Sequence, residues 1–369
     1  MISPAPEPVR SVAVLGTGLI GTSIALATRR AGSTVTGWDI SAEVTGRAAS
    51  TGALIPALSL EGAVEGADLV VVCTPIDVVA STVVHALAAC PHGVVTDAAS
   101  IKARVVADVA ALAPASDLPR FVPGHPLGGS ERSGPEHASA SVVDGVVWVL
   151  APTEVTDPAA VEAVRGFVEA VGARPILLPP ERHDRLVAFV SHLPQVASTA
   201  LMGLAATEEA DEPDILLLAA GGFRDLTRLA ASNPALWSEI LLANRDQIVR
   251  AIDLYVERLA ALRDQIRTDD APDVERTFGD AKAARLRLSA KPQVRAGVAV
   301  FQVEIPDEPG ALARITAVLG EGDVNIEDLQ IVHSPEGGRG TVHLTVAAPA
   351  AADASDVLRG GGYDPIRLA

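Results

Sequence analysis

The chain is poor in cysteine, in aromatic side chains and in positive charge. Two cysteines, Cys73 and Cys90, among 369 residues cannot build a disulfide framework, which argues against a stapled extracellular scaffold and fits a reducing cytoplasm. Aromatic residues make up 3% against 49% apolar residues in all, so the interior has to be built from Ala, Val, Leu and Ile. The length exceeds one ordinary core and suits two or three domains. With 29 Lys and Arg against 46 Asp and Glu, the formal charge is −17. That argues against nucleic acid as a partner, because phosphate backbones are bound by clustered cations. An anionic ligand must then meet arginines concentrated locally. No run approaches the roughly 20 apolar residues of a membrane span, and the opening MISPAPEPVR has no apolar core ahead of a cleavage site. A cytoplasmic protein without a membrane partner is expected.

What is present falls into three stretches. From Val9, the apolar runs SVAVLG, STVTGWD, ADLVVVCTP, GVVTDAAS and GVVWVLAP alternate with helix-like segments. This pattern describes a buried parallel sheet, an α/β, Rossmann-type doubly wound domain over residues 1–179 that closes with RPILLPP. From Glu181 to about Leu288 strand-like runs vanish and apolar residues recur at helical spacing, predicting an all-helical domain over residues 180–292. Its faces are apolar over more turns than one small bundle needs, so a homodimer is expected. KAARLRLSAKPQVR reads as a linker, and residues 297–369 read as β-α-β-β-α-β, a ferredoxin-like unit.

VAVLGTGLIG places Gly16, Gly18 and Gly21 after a predicted strand and at the opening of a helix, with Leu19 and Ile20 in its first turn. Glycines there let the backbone turn tightly and approach a pyrophosphate seated on free helix N–H groups. Alone the fingerprint is weak. Its context strengthens it, because STVTGWD ends in Asp39, 18 residues past Gly21, near the ~20 expected of a ribose-binding acid. A carboxylate there accepts from the ribose hydroxyls and repels a 2′-phosphate, so NAD is expected rather than NADP. Thr74 and Pro75 close the VVVCTP strand, on the edge where open α/β sheets bind ligands, although Thr74 reads equally well as an ordinary turn residue.

Ser100 and Lys102, in TDAASIKARV, follow another apolar strand, and His125 comes from the next connection, FVPGHPLGGSERSG. An imidazole with its usual pKa near 6.5 can take a proton from an alcohol as hydride leaves the carbon. Pro123, Gly124, Pro126, Gly128 and Gly129 around it fix a backbone and supply no core packing, which favours catalysis over a structural role. In VSHLPQ, His192 and Gln195 lie three apart on one helical face beside Ser191, and Pro194 is expected to bend the helix. Gln195 reads equally well as a polar cap. Arg224 and Arg228, four apart in GGFRDLTRLAASNPALW, form a candidate carboxylate clamp, with one of the two accounted for by a solvated face or a pair with Asp225. His85, His92, His137, His183, His333 and His343 show neither an HExxH pattern nor clustering with cysteine, so no metal is expected.

With the glycine fingerprint, GHPLGGSERSG, the HD…VSHLPQ helix and GGFRDLTRLAASNPALW in that order, the chain resembles the prephenate dehydrogenase family of tyrosine biosynthesis over about residues 10–290. The last three motifs together are not shared with generic Rossmann dehydrogenases. The C-terminal EIPDEPGALARITAVLGEGDVNIEDLQI resembles an ACT domain, a module that binds amino acids. The resemblance implies an oxidative decarboxylation in which NAD+ takes hydride from the carbon bearing the hydroxyl, CO2 leaves and the ring becomes aromatic. It implies that His125 accepts the hydroxyl proton with Ser100 holding that group, that Arg228 binds a substrate carboxylate, and that His192 and Trp237 line the pocket. Gln195 stands where many members have a second histidine. It keeps hydrogen bonding and loses a titratable charge, so prephenate and arogenate both stay open as substrate. In the ACT-like unit an amino-acid effector, tyrosine, is expected at Gly310, Ala311, Leu312, Asn325 and Ile326, the alternative being a unit used only for dimerisation.

Overall fold

A computed structural model describes residues 9–128, 134–289, 298–306, 308–333 and 339–368. The N-terminal segment, residues 290–295 of the expected linker and residues 129–133 of the GHPLGGSERSG motif lie outside the described residues, whereas residues 282–289, also read as linker, are helical, because Ala, Leu, Lys and Arg are good helix formers. The chain divides into two compact units, residues 1–210 with 227–254, and residues 211–226 with 255–369.

The first unit opens with β1 (Ser11–Leu15), α1 (Leu19–Arg30), β2 (Thr34–Trp38), α2 (Ala42–Ser50), β3 (Ile55–Pro56), α3 (Leu60–Val64), β4 (Leu69–Val72), α4 (Ile76–Ala89), β5 (Val94–Asp97), α5 (Ala103–Leu112) and β6 (Phe121–Val122). The strands form one six-stranded sheet in the order β3-β2-β1-β4-β5-β6, with every pairing parallel. The period of two explains why the central strands are apolar throughout: Val12, Val14, Leu69 and Val71 enter the core on one face, and Ala13, Leu15, Val70 and Val72 enter the core on the other. A doubly wound sheet is what the run pattern predicts.

Two runs depart from that expectation. GVVWVLAP and RPILLPP do not extend the sheet; they supply strands of a separate one. β7 (Gly124–Pro126), β8 (Val147–Leu150) and, after α6 (Pro158–Ala170), β9 (Arg174–Leu177) form three strands in the order β7-β8-β9, with β7 antiparallel to β8 and β8 parallel to β9. Pro123 separates β6 from β7 and has no N–H to give a ladder, so the chain leaves the first sheet there. His125, expected in a loop, therefore sits on a strand, opposite Val149.

The helical stretch comprises α7 (Pro180–Val187), a π-helical turn at Ala188–His192, α8 (Leu193–Glu208), α9 (Gly221–Thr227), a 3₁₀ turn at Arg228–Ala231, α10 (Pro234–Ala243), α11 (Arg245–Arg267) and α12 (Ala271–Ser289). Pro194 has no N–H for the carbonyl four residues back, and the wide turn directly before it absorbs that loss. Against the sequence expectation, Pro180–Glu208 is long and apolar enough by length and composition to cross a membrane, with a mean hydropathy of 1.3 over its best window. Polar residues interrupt every continuous run, which is why reading runs missed it. Those residues include His183, Asp184, His192, Gln195 and Ser198, all buried.

The second unit ends with β10 (Val298–Pro306), α13 (Ala311–Glu321), β11 (Asp328–His333), β12 (Arg339–Ala347), α14 (Ala351–Gly360) and β13 (Ile366–Arg367). They make an antiparallel sheet in the order β11-β12-β10-β13 around a core that includes Phe301, Ile315, Leu319, Leu344 and Leu358. The β-α-β-β-α-β order is as the sequence predicts.

Candidate active site

Because the strands of the large sheet are parallel, their carboxyl ends share one edge, and most of the expected site residues lie there: the glycine turn after β1, Asp39 after β2, Thr74 and Pro75 after β4, Ser100 after β5, and His125 just beyond β6. Gly16 has φ +90°, and a Cβ on it would stand 2.6 Å from the carbonyl oxygen of Cys73, so only glycine turns the chain this tightly between β1 and β4. A Cβ on Gly21 would stand 1.9 Å from the Gly16 carbonyl oxygen, whereas one on Gly18 would meet nothing within 4 Å. The space above Gly18 is open.

Gly18 is the N-cap of α1, which has no side-chain cap and no acid in its first turn, leaving its terminal N–H groups uncommitted. By contrast α2 is capped by Ser41 and carries Glu43 in its first turn. Leu19 is buried and Ile20 packs against a core face of the sheet, so the two contribute backbone rather than side chain at this turn. Asp39 accepts from the Thr17 amide (2.9 Å) and the Ser41 amide (3.0 Å), which fixes its carboxylate beside the turn. The buried hydroxyls of Thr17 and Thr74 have no partner among the described residues. An uncapped helix start, open space over Gly18, a fixed carboxylate and two orphan hydroxyls fit a dinucleotide.

Beside this edge a chain of buried polar groups holds His125. Its Nδ1 lies 2.8 Å from His183 Nε2, and His183 Nδ1 lies 2.8 Å from Asp184 Oδ1. The Asp184 carboxylate also accepts from the amides of Lys102 (2.7 Å) and Ala103 (2.8 Å) at the start of α5. A carboxylate so surrounded by N–H donors can only accept, so His183 must carry its proton on Nδ1. Its Nε2 is then an acceptor, which places the His125 proton on Nδ1 and leaves Nε2 of His125 as the basic nitrogen. Burial, then the neighbouring His183, Lys102 and His192, hold the His125 pKa well below the ordinary imidazole value.

A second anchor lies underneath. The ammonium of Lys102, wholly buried, contacts Asp97 and the Gly124 carbonyl. Asp97 in turn accepts from the amides of Ala99 (2.9 Å) and Gly124 (3.2 Å). The end of β5, which leads to Ser100, and the start of β7, which carries His125, are thereby tied together.

The helical residues adjoin the His125–His183–Asp184 chain within the same unit, linked through Asn244, whose Nδ2 donates to the Asp184 backbone carbonyl at 2.9 Å. His192 is buried, stands edge-on to Trp237 with ring centroids 6.0 Å apart, and has its Nδ1 3.3 Å from Asn244 Nδ2. Burial first, then His183, push its pKa down to about 4 against the opposing pull of Asp184. Gln195 bonds to Leu229 and Ser232. Arg228 opens the 3₁₀ turn; it is exposed and has no hydrogen-bond or ion-pair partner among the described residues. Arg224, also exposed, belongs with Ala219 to the second unit and donates to that residue's carbonyl.

In the second unit, Gly310 caps α13 at φ +88°, Ala311 is buried, Leu312 and Ile326 pack against that unit's core, and Asn325 donates to Glu327 at 2.6 Å. Sequence reasoning passed over Asp97, His183, Asp184 and Asn244 and gave Lys102 no role beyond the edge. The one available signal was polar residues embedded in apolar segments, as in VVTDAASIK and RHDRLVAFVSH.

Residues 24–177 match the family model for the prephenate dehydrogenase nucleotide-binding domain, residues 179–280 that for the prephenate dehydrogenase dimerization domain, and residues 299–359 that for the ACT domain. The first match begins beyond Gly21, so the glycine turn rests on its own geometry. The chain is 32% identical over 345 residues to the prephenate dehydrogenase of Bacillus subtilis, covering 91% of each. Among solved structures it resembles prephenate dehydrogenase from Aquifex aeolicus in complex with hydroxyphenyl propionate and NAD+, with a TM-score of 0.70 and 28% identity over 76% of this chain and 98% of that one. It also resembles Synechocystis arogenate dehydrogenase, with a TM-score of 0.66 and 29% identity over 75% of this chain and 99% of that one.

Proposed function

Since the chain belongs to the prephenate dehydrogenase family, we propose that it carries out the NAD-dependent oxidative decarboxylation of prephenate to 4-hydroxyphenylpyruvate in tyrosine biosynthesis. The observation that carries this reading is the Asp184–His183–His125 chain, which ends at the same sheet edge as the glycine turn. When bound, NAD+ supplies the hydride acceptor. The free α1 N–H groups hold its pyrophosphate, with Gly16, Gly18 and Gly21 shaping the turn and Leu19 and Ile20 contributing backbone. Asp39 takes the ribose, while Thr74 and Pro75 border the nicotinamide end.

His125 Nε2 takes the proton of the ring hydroxyl as hydride departs, and Ser100 holds that hydroxyl. Loss of CO2 leaves a phenolate, to which the imidazolium returns the proton. Aromatisation drives the reaction, so the protein's task is orientation and proton transfer. Arg228 offers its unpaired guanidinium to a substrate carboxylate, with His192, Gln195 and Trp237 behind it.

Arogenate is the competing substrate, on the likeness to an arogenate dehydrogenase. The reading further takes residues 1–179, 180–292 and 297–369 as its domains, a homodimer through the helical stretch and a cytoplasmic location. It also takes tyrosine as an effector at Gly310, Ala311, Leu312, Asn325 and Ile326.

The test is NAD reduction with each substrate, with and without tyrosine, in the wild type and in His125→Asn. The variant is expected to lower kcat by ~10²–10⁴ with KM little changed, as for a lost general base. Wild-type turnover in that variant removes His125 from the chemistry. NAD binding with no turnover on either substrate overturns the enzyme reading itself.

A further inference from the structure

Gln195 is 5% exposed, and both ends of its amide are committed to one short segment. Its Nε2 donates to the Leu229 carbonyl at 2.7 Å, and its Oε1 accepts from the Ser232 hydroxyl at 3.3 Å. A carbonyl can only accept, so the bond to Leu229 settles which end of the amide is nitrogen. The same carbonyl receives the Ser232 backbone amide at 3.1 Å, which fills both of its lone pairs. The segment so held is the 3₁₀ turn that begins with Arg228. One helical turn before Gln195, His192 meets Trp237, at the far end of the same stretch. The face of the helix that carries residues 192 and 195 is thus bonded to residues 229–237 at two points.

From this geometry we infer that Gln195 is a positioning residue that fixes the Arg228 turn on α8, and that it does not read the substrate's side chain. The inference rests on the reading of Arg228 as the carboxylate-binding residue. It has a consequence for specificity: discrimination between the keto group of prephenate and the ammonium of arogenate does not lie at position 195. A residue touching that group would shift the preference when altered, whereas a residue that only holds Arg228 weakens both substrates alike, since both present the same ring carboxylate.

Gln195→Met, close in volume and without the amide, tests this. The expected result is a KM raised about tenfold for both substrates, the scale of one or two lost buried hydrogen bonds, with kcat little changed and the ratio of the two kcat/KM values unaltered. Amide hydrogen exchange across Leu229–Ser232 in the substrate-free protein should speed up. Ser232→Ala, which removes only the weaker bond, should move both quantities the same way by less. In an Arg228→Ala background, Gln195→Met should add little further loss. A substrate preference that shifts by more than about fivefold, close to 1 kcal/mol, or exchange at Leu229–Ser232 that stays at the wild-type rate, overturns the inference. Failure of the Arg228 reading would show separately, as Arg228→Ala alone leaving KM at its wild-type value for both substrates.

Discussion

At the scale of single residues, the basic nitrogen of His125 is decided two side chains away. The Asp184 carboxylate receives the Lys102 and Ala103 amides, and this obliges His183 to donate from Nδ1 and to accept at Nε2. In Asp184→Asn one of the two backbone amides on the carboxylate loses its acceptor, and where the amide nitrogen takes the place of Oδ1, the oxygen shared by His183 and the Lys102 amide, it faces His183 as a donor. His183 would then carry its proton on Nε2, donate it to His125 Nδ1, and drive the His125 proton onto the nitrogen that should be the base. The expected loss in kcat/KM is ~10²–10⁴, the size of a misplaced tautomer or lost general base. The wild-type profile follows from burial first and then from the neighbouring His183, Lys102 and His192. The His125 pKa is lowered, so on acidification the neutral base persists past the ordinary imidazole value. The acid limb of kcat/KM should therefore fall below pH ~6.5. A limb at or above that value in the wild type would refute the lowered His125 pKa, and wild-type rates in Asp184→Asn would show that His125 works without the Asp184–His183 pair setting its tautomer.

At the scale of elements, the β1–α1 turn separates two jobs of glycine that one motif conceals. Gly21 has no room, with the Gly16 carbonyl 1.9 Å from where its Cβ would be, while Gly18 has space on every side within 4 Å. Gly21→Ala should therefore pry α1 from β1 and lower the thermal midpoint. Gly18→Ala should leave the midpoint near wild type yet weaken NAD about tenfold or more, because its methyl enters the space a pyrophosphate needs. Calorimetry for unfolding and titration for NAD separate the two; equal effects in both variants would refute the assignment. The glycine turn was legible in the sequence because spacing after a strand is a local signal. So were the strands and helices themselves, which follow periodicity. The departure of β7, β8 and β9 into their own sheet was not, since an apolar run announces a strand without naming its neighbour. His183 and Asp184 were missed for the same reason. Their meaning comes from contacts such as Asp184 with Lys102, 82 positions apart, and no spacing rule spans such a distance.

At the scale of the whole molecule, the helix Arg245–Arg267 carries the surface on which the proposed homodimer can be tested. Ile248 and Ala251 are buried against Ala188, yet Val249, Val256, Leu259 and Ile266 remain 50%, 55%, 48% and 64% exposed. Their separations of seven, three and seven residues place them along one stripe of the helix, at the spacing of a helix–helix seam. Fully burying an aliphatic side chain of this size contributes about 1.5–3 kcal/mol, so a partner covering the stripe would add stability that an isolated chain lacks. In a dimer held this way, folding is coupled to association, and mass action makes the midpoint of unfolding depend on concentration. The thermal midpoint should rise as protein concentration is increased about a hundredfold, and sedimentation at micromolar concentration should give twice the chain mass. Val256→Asp with Leu259→Asp sets a carboxylate pair in the seam, where burying charge without a partner is strongly unfavourable. The double variant should sediment as a monomer and lose the concentration dependence. A wild-type midpoint indifferent to concentration, with monomer mass throughout, would mean the stripe stays in water and the dimer does not form through it.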